Sequence, residues 1–69
     1  MKAGIFVDPI IADDVVQDLS HPKWEFTSIE VKSTSRQPLI EWEGKEEDIE
    51  EWAGEFNRFG INNDDICYF

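Results

Sequence analysis

Basic residues are scarce in this 69-residue chain: six Lys and Arg stand against 16 Asp and Glu, a formal net charge of -10. Nucleic acid backbones and anionic membranes are bound by Lys and Arg, so neither direct nucleic acid binding nor membrane binding is expected. Cysteine is nearly absent as well. Cys67 alone closes no intramolecular disulfide, whereas small secreted domains are usually stapled by several, so a reducing, cytoplasmic setting is expected. The apolar run Ala3 to Val7 is cut off by Asp8 and falls short of the roughly 7 to 15 residues of a signal-peptide core. There is no Cys-x-x-Cys pair, phosphate-binding glycine loop or dinucleotide turn. His21, the single histidine, adjoins Ser20, and adjacency does not build a nucleophile–base pair, which needs groups facing each other across a fold. An enzyme is therefore not expected, and neither is a cofactor.

Against these absences stands a hydrophobic content of 41% with nine aromatic residues, too rich for a disordered acidic tail. The chain has room for one domain, residues 1–69. Domains of roughly 60 residues bury only about 60% of their unfolded surface, which leaves a small core and no deep enclosed cleft.

Lys2 to Val7 reads as a central strand. Asp8 and Pro9 supply a helix cap and first helical position, and Ile11, Val15 and Leu19 recur at helical spacing, so a helix is expected from Pro9 to Ser20, stopped by His21 and Pro22. Trp24 to Lys32 reads as a second strand with Ile29 and Val31 inward and Glu30 and Lys32 outward. The opposite parity of Trp24 and Phe26 points to a β-bulge around Thr27 and Ser28. After a polar turn from Ser33 to Pro38, Leu39 to Glu43 forms a third strand with Ile40 and Trp42 on one face and Glu41 and Glu43 on the other. Ile49, Trp52, Ala53, Phe56 and Phe59 mark a second helix over Lys45 to Phe59, capped by Gly60. A turn from Asn62 to Asp65 then leads to a short fourth strand, Ile66 to Phe69, in which Cys67 is expected to be buried. All three tryptophans are expected in the core, with Trp24 the first choice if one is exposed. The order is an α+β βαββαβ, matching the ferredoxin-like arrangement: a four-stranded antiparallel sheet with two helices on one face. The other face is left to solvent, a partner or a dimer.

Half of the acids fall in one window: Glu41, Glu43, Glu46, Glu47, Asp48, Glu50, Glu51 and Glu55, opposed only by Lys45. Residues 1–40 hold six acids and four bases, so the charge is concentrated rather than spread. Acids in the first helical turn are favoured by the helix dipole, which accounts for Glu46, Glu47 and Asp48 but not for Glu50, Glu51 and Glu55. Glu46/Glu50, Glu47/Glu51 and Glu51/Glu55 are like charges one turn apart, each costing roughly 0.2 to 0.5 kcal/mol. One reading is a solvated face kept for solubility. The other is phosphate mimicry, since carboxylates on successive turns lie roughly 5 to 6 Å apart, a spacing suited to a groove built for DNA. On that reading these eight acids are the partner-binding residues. Asn62 to Asp65 lack the alternating ligands and distal Glu of a calcium loop, so no metal site is expected.

Three ferredoxin-like families fit poorly: RNA recognition motifs need a basic sheet, heavy-metal chaperone domains a Cys-x-x-Cys, and acylphosphatases an anion-binding arginine after the first strand. With Glu41-Trp42-Glu43 and Glu46-Glu47-Asp48-Ile49-Glu50-Glu51 in a tiny, acidic, nearly cysteine-free domain, the chain as a whole resembles small phage-encoded DNA-mimic inhibitors of the anti-CRISPR kind. The resemblance implies a stoichiometric inhibitor in the bacterial host cytoplasm. Its partner would be a basic nucleic-acid-binding protein or CRISPR effector complex, bound by a monomer or weak dimer. An immunity or antitoxin protein that neutralises a basic nuclease or toxin would use the same acids, and a small module dimerising through its sheet is a third possibility.

Overall fold

A computed structural model describes residues 1–54, 59–61 and 63–69. Strand β1 runs Lys2–Phe6, helix α1 Pro9–Leu19, β2 Ser28–Lys32, β3 Leu39–Glu43, helix α2 Glu46–Gly54 and β4 Cys67–Tyr68, with a 3-10 turn at Asn63–Asp65 before β4. The four strands form one antiparallel sheet in the order β2-β3-β1-β4. β1 lies between two neighbours, as its apolar run requires: Ala3, Gly4 and Ile5 are all buried.

α1 starts where the sequence places it. Asp8 is extended (φ -63°, ψ 135°) and its side chain accepts a hydrogen bond from Ile10 N at 2.9 Å, which satisfies one of the free amides of the first turn, while Pro9 follows without needing a donor. The helix ends at Ser20, whose amide and hydroxyl both donate to the Val16 carbonyl, and Pro22 bars continuation. His21 is used locally, its Nδ1 accepting from Lys23 N at 3.0 Å.

Register assigns the faces. Ala3 pairs with Trp42 and Ile5 with Ile40, so these four side chains share one face, and all are fully buried. Val15 and Leu19 of α1 and Ile49, Trp52 and Ala53 of α2 join the same core, which places both helices in one layer against that face. Aromatic rings stitch the layers together. Trp24 stacks on Phe26, Phe26 meets Trp42 edge-on, and Trp42 meets Trp52 edge-on with centroids 5.0 Å apart. Edge-to-face pairs of this kind contribute about 0.5 to 1.5 kcal/mol beyond the area they bury. Trp52 Nε1 then donates to Asp18 at 2.7 Å, which pins α2 against α1. All three tryptophans are core residues, Trp24 included.

Three expectations are corrected. The second strand covers only Ser28–Lys32. The residues before it form a turn closed by Trp24 N donating to His21 O, because Trp24 is drawn into the core rather than into the ladder. The parity change has its cause at the entry to β2. Thr27 N donates to Glu43 O, although Glu43 pairs with Ser28, so two successive residues face one, as in a bulge. Ile29 is only half-buried and Val31 is 54% exposed, because β2 is an edge strand that the helices do not fully cover. Cys67 is exposed, because β4 is the opposite edge and only two residues long. α2 is seen over Glu46–Gly54; of the expected continuation to Phe59, residues 55–58 lie outside the described residues. Gly60 has φ +71°, a left-handed conformation that glycine adopts without penalty and that suits the expected cap.

Candidate functional site

The stripe Ile49, Trp52 and Ala53 faces the core, and the helical rotation of about 100° per residue turns Glu46, Glu47, Glu50 and Glu51 to solvent. All four are exposed, Glu43 is exposed at the end of β3, and Asp48 is half-buried. None of these six carboxylates forms an ion pair or side-chain hydrogen bond among the described residues. Lys45, the base nearest in sequence, turns away to Glu25 at 3.3 Å. Its ammonium pKa is raised first by that hydrogen bond, then by the charges of Glu25 and Asp48. The result is a run of carboxylates without ion pairs among the described residues, on a helix fixed from below by a buried tryptophan.

The helical layer extends this field beyond the residues singled out by the sequence. Asp13 and Asp14 are exposed on α1, which lies alongside α2 through the Trp52–Asp18 bond. Their signal was available: with Ile11, Val15 and Leu19 inward, positions 13 and 14 must point outward.

Glu41 does not belong to this run. It lies on the other face of the sheet and is only 6% exposed. Register explains how. Its cross-strand neighbours are Gly4 and Glu30, while Lys2 and Lys32 occupy the diagonal positions, within reach of long side chains. Lys32 Nζ stands 2.7 Å and Lys2 Nζ 3.6 Å from Glu41 Oε1. The short Lys32 contact joins an ammonium donor to a carboxylate acceptor. Close polar contact with Lys32 holds the Glu41 carboxyl below the usual carboxylate range against the opposing desolvation, and Lys2 adds to the effect. The same contact raises the Lys32 pKa. Gly4 leaves room for the Phe69 ring; a Cβ there would stand 2.9 Å from Phe69 Cε2. Glu41 is thus a neutralised structural carboxylate, separate from the seven others named in the sequence, of which Glu55 lies outside the described residues.

An open hollow of about 390 Å³ is lined, among the described residues, by Phe6, Thr34, Ser35, Arg36 and Gln37, without a carboxylate, imidazole or thiol. Among the described residues no three His, Cys, Asp or Glu side chains converge as metal ligands, and no helix is long and apolar enough to cross a membrane. No protein-family profile, curated protein or solved structure matches the chain. Function therefore has to be argued from the acidic layer itself.

Proposed function

We propose that the protein is a stoichiometric inhibitor that mimics DNA, using its acidic helical layer to occupy the basic DNA-binding site of a nucleic-acid-binding effector, as anti-CRISPR proteins of phages do in a bacterial cytoplasm. The observation that carries this reading is the run of exposed carboxylates Glu46, Glu47, Glu50 and Glu51, none of which forms an ion pair among the described residues. Successive turns place them at about the 5.4 Å helical pitch. Because the helix is already pinned, the carboxylates meet a partner without the ordering cost of a flexible acidic tail. Complementary charge would make association fast and salt-sensitive. We further read the topology as the ferredoxin-like split βαβ, a reading supported by a central β1 flanked by β3 and β4 with β2 outside β3.

The test is competition. Catalytically inactive CRISPR effectors and other basic DNA-binding nucleases are loaded with fluorescent target duplex, and anisotropy is followed as the protein is added at several salt concentrations. Displacement of DNA that fades as salt rises, and that is lost when Glu46, Glu47, Glu50 and Glu51 are changed together to Gln, is the expected result. Equal displacement by the quadruple variant would remove the acidic helix from the mechanism. A protein that binds an active nuclease and blocks cleavage while DNA stays bound would instead be an immunity-type inhibitor.

A further inference from the structure

The sheet edge opposite β4 carries a separate signal, independent of the acidic layer. In an antiparallel ladder, residues alternate between bonding one neighbour and bonding the other. Gly44 N donates to Met1 O and Val7 N to Pro38 O, so Trp42 and Ile40 of β3 bond toward β1 and Glu43, Glu41 and Leu39 bond toward β2. Their partners Ser28, Glu30 and Lys32 therefore use their backbone groups on β3, and Ile29 and Val31 are left with N–H and C=O directed outward from the edge. Val31, at 54%, is among the most exposed large apolar residues of the chain.

That edge is complementary to itself. Turned antiparallel about Val31, a second copy sets Val31 against Val31, where both residues can exchange backbone hydrogen bonds. Glu30 of each copy then lies directly opposite Lys32 of the other. Directly opposed unlike charges are favourable cross-strand pairs and like charges are unfavourable, so the register one residue earlier, which sets Glu30 against Glu30, is rejected. Lys32 already holds Glu41, but an ammonium has three donors and can serve both. We infer that β2 pairs with β2 of a second copy of this chain, in a two-fold homodimer centred on Val31 whose sheet runs continuously through both copies. In-plane antiparallel pairing puts the two-fold axis perpendicular to the sheet. Both helical layers, with their acids, then lie on the same side and form one longer acidic surface.

Each copy carries ten net negative charges, which outweigh the two symmetry-related Glu30–Lys32 pairs. Dimerisation therefore strengthens as salt rises, opposite to the trend expected for recognition by the acidic layer. Sedimentation velocity over a concentration series at low and high salt tests this, with circular dichroism to verify folding. A concentration-dependent dimer favoured by salt is expected, and Val31→Lys, which sets like charges face to face at the axis, should weaken it about tenfold or more. Cross-linking provides the second measurement. Across a bonded pair the Cα atoms lie about 5.5 Å apart, within the disulfide range of about 4.4 to 6.8 Å. Val31→Cys in a Cys67→Ser background should form a disulfide dimer on mild oxidation, and Ile29→Cys in the same background, which faces Ser33 in this register, should not. A monomer at every concentration and salt, a dimer indifferent to Val31→Lys, or cross-linking through Ile29→Cys in place of Val31→Cys overturns the inference, whatever the outcome of the DNA competition.

Discussion

Two kinds of carboxylate stand within a few residues of each other, Glu41 on β3 and the glutamates of α2, and the fold treats them in opposite ways. Glu41 is withdrawn from solvent and neutralised by Lys32 and Lys2. Glu46, Glu47, Glu50 and Glu51 are turned outward and form no ion pair among the described residues. The first serves the folded state, and the others slightly oppose it through like-charge pairs one turn apart. Charge type alone therefore does not assign a role. What assigns it is whether the sheet register or the helix rotation brings a cation near.

The largest expected effect sets the scale. Trp42 sits on the face of β3 opposite Glu41 and is fully buried against Trp52, so Trp42→Ala should cost about 3 to 5 kcal/mol, enough to unfold much of a domain this small. Urea denaturation followed by far-ultraviolet circular dichroism measures it. Next comes the clamp between the helices. Trp52→Phe keeps the ring but removes the donor to Asp18, and should cost about 1 to 3 kcal/mol in the same assay.

Glu41→Gln separates the two kinds of carboxylate directly. Because the folded-state pKa of Glu41 is lowered, its contribution is present above the unfolded carboxyl pKa and is lost as pH falls through the folded value. The variant should be less stable near neutral pH, with the loss narrowing toward acid, and it should leave partner binding unchanged. Lys32 works in the other direction. Its raised pKa gives a contribution that is complete below the unfolded value and is lost as pH rises through the folded one, so wild type should show an added alkaline loss that Glu41→Gln reduces. Thermal melts across pH check both arms.

The smallest expected change in stability belongs to the glutamates of α2. Changing Glu46, Glu47, Glu50 and Glu51 together to Gln relieves the three like-charge pairs Glu46/Glu50, Glu47/Glu51 and Glu51/Glu55, for a gain of roughly 0.2 to 0.5 kcal/mol each. It also forfeits the dipole interaction of Glu46 and Glu47, about 0.3 to 1 kcal/mol each, so the net change should lie near zero. The effect on partner binding should be large. If Glu41→Gln abolished binding while the quadruple variant kept it, the contrast between the two sites would be reversed.

Much of the fold was legible in the chain. The Asp8-Pro9 cap, the four-residue spacing of Ile11, Val15 and Leu19, and the alternation through Leu39–Glu43 each state a local preference that the structure keeps, because caps and binary patterning are properties of neighbours in sequence. The outward glutamates of α2 were legible for the same reason. Trp24 was harder to place, since its parity argued for one face of a strand and the packing of Phe26 and Trp42 drew it into a turn instead. Cys67 and Val31 carry apolar character suited to buried strands, yet both lie on edges, and which strand becomes an edge is not a local property.

Sequence by itself thus determined the elements, the core-facing stripe of each helix and the concentration of negative charge in and around α2. Tertiary structure alone decided that Glu41 would be neutralised, because Lys2 and Lys32 reach it only once β1 and β2 have taken their registers on either side of β3. It also decided that the backbone groups of Ile29 and Val31 would face outward, because the direction of a strand's hydrogen bonds depends on which neighbour the sheet supplies.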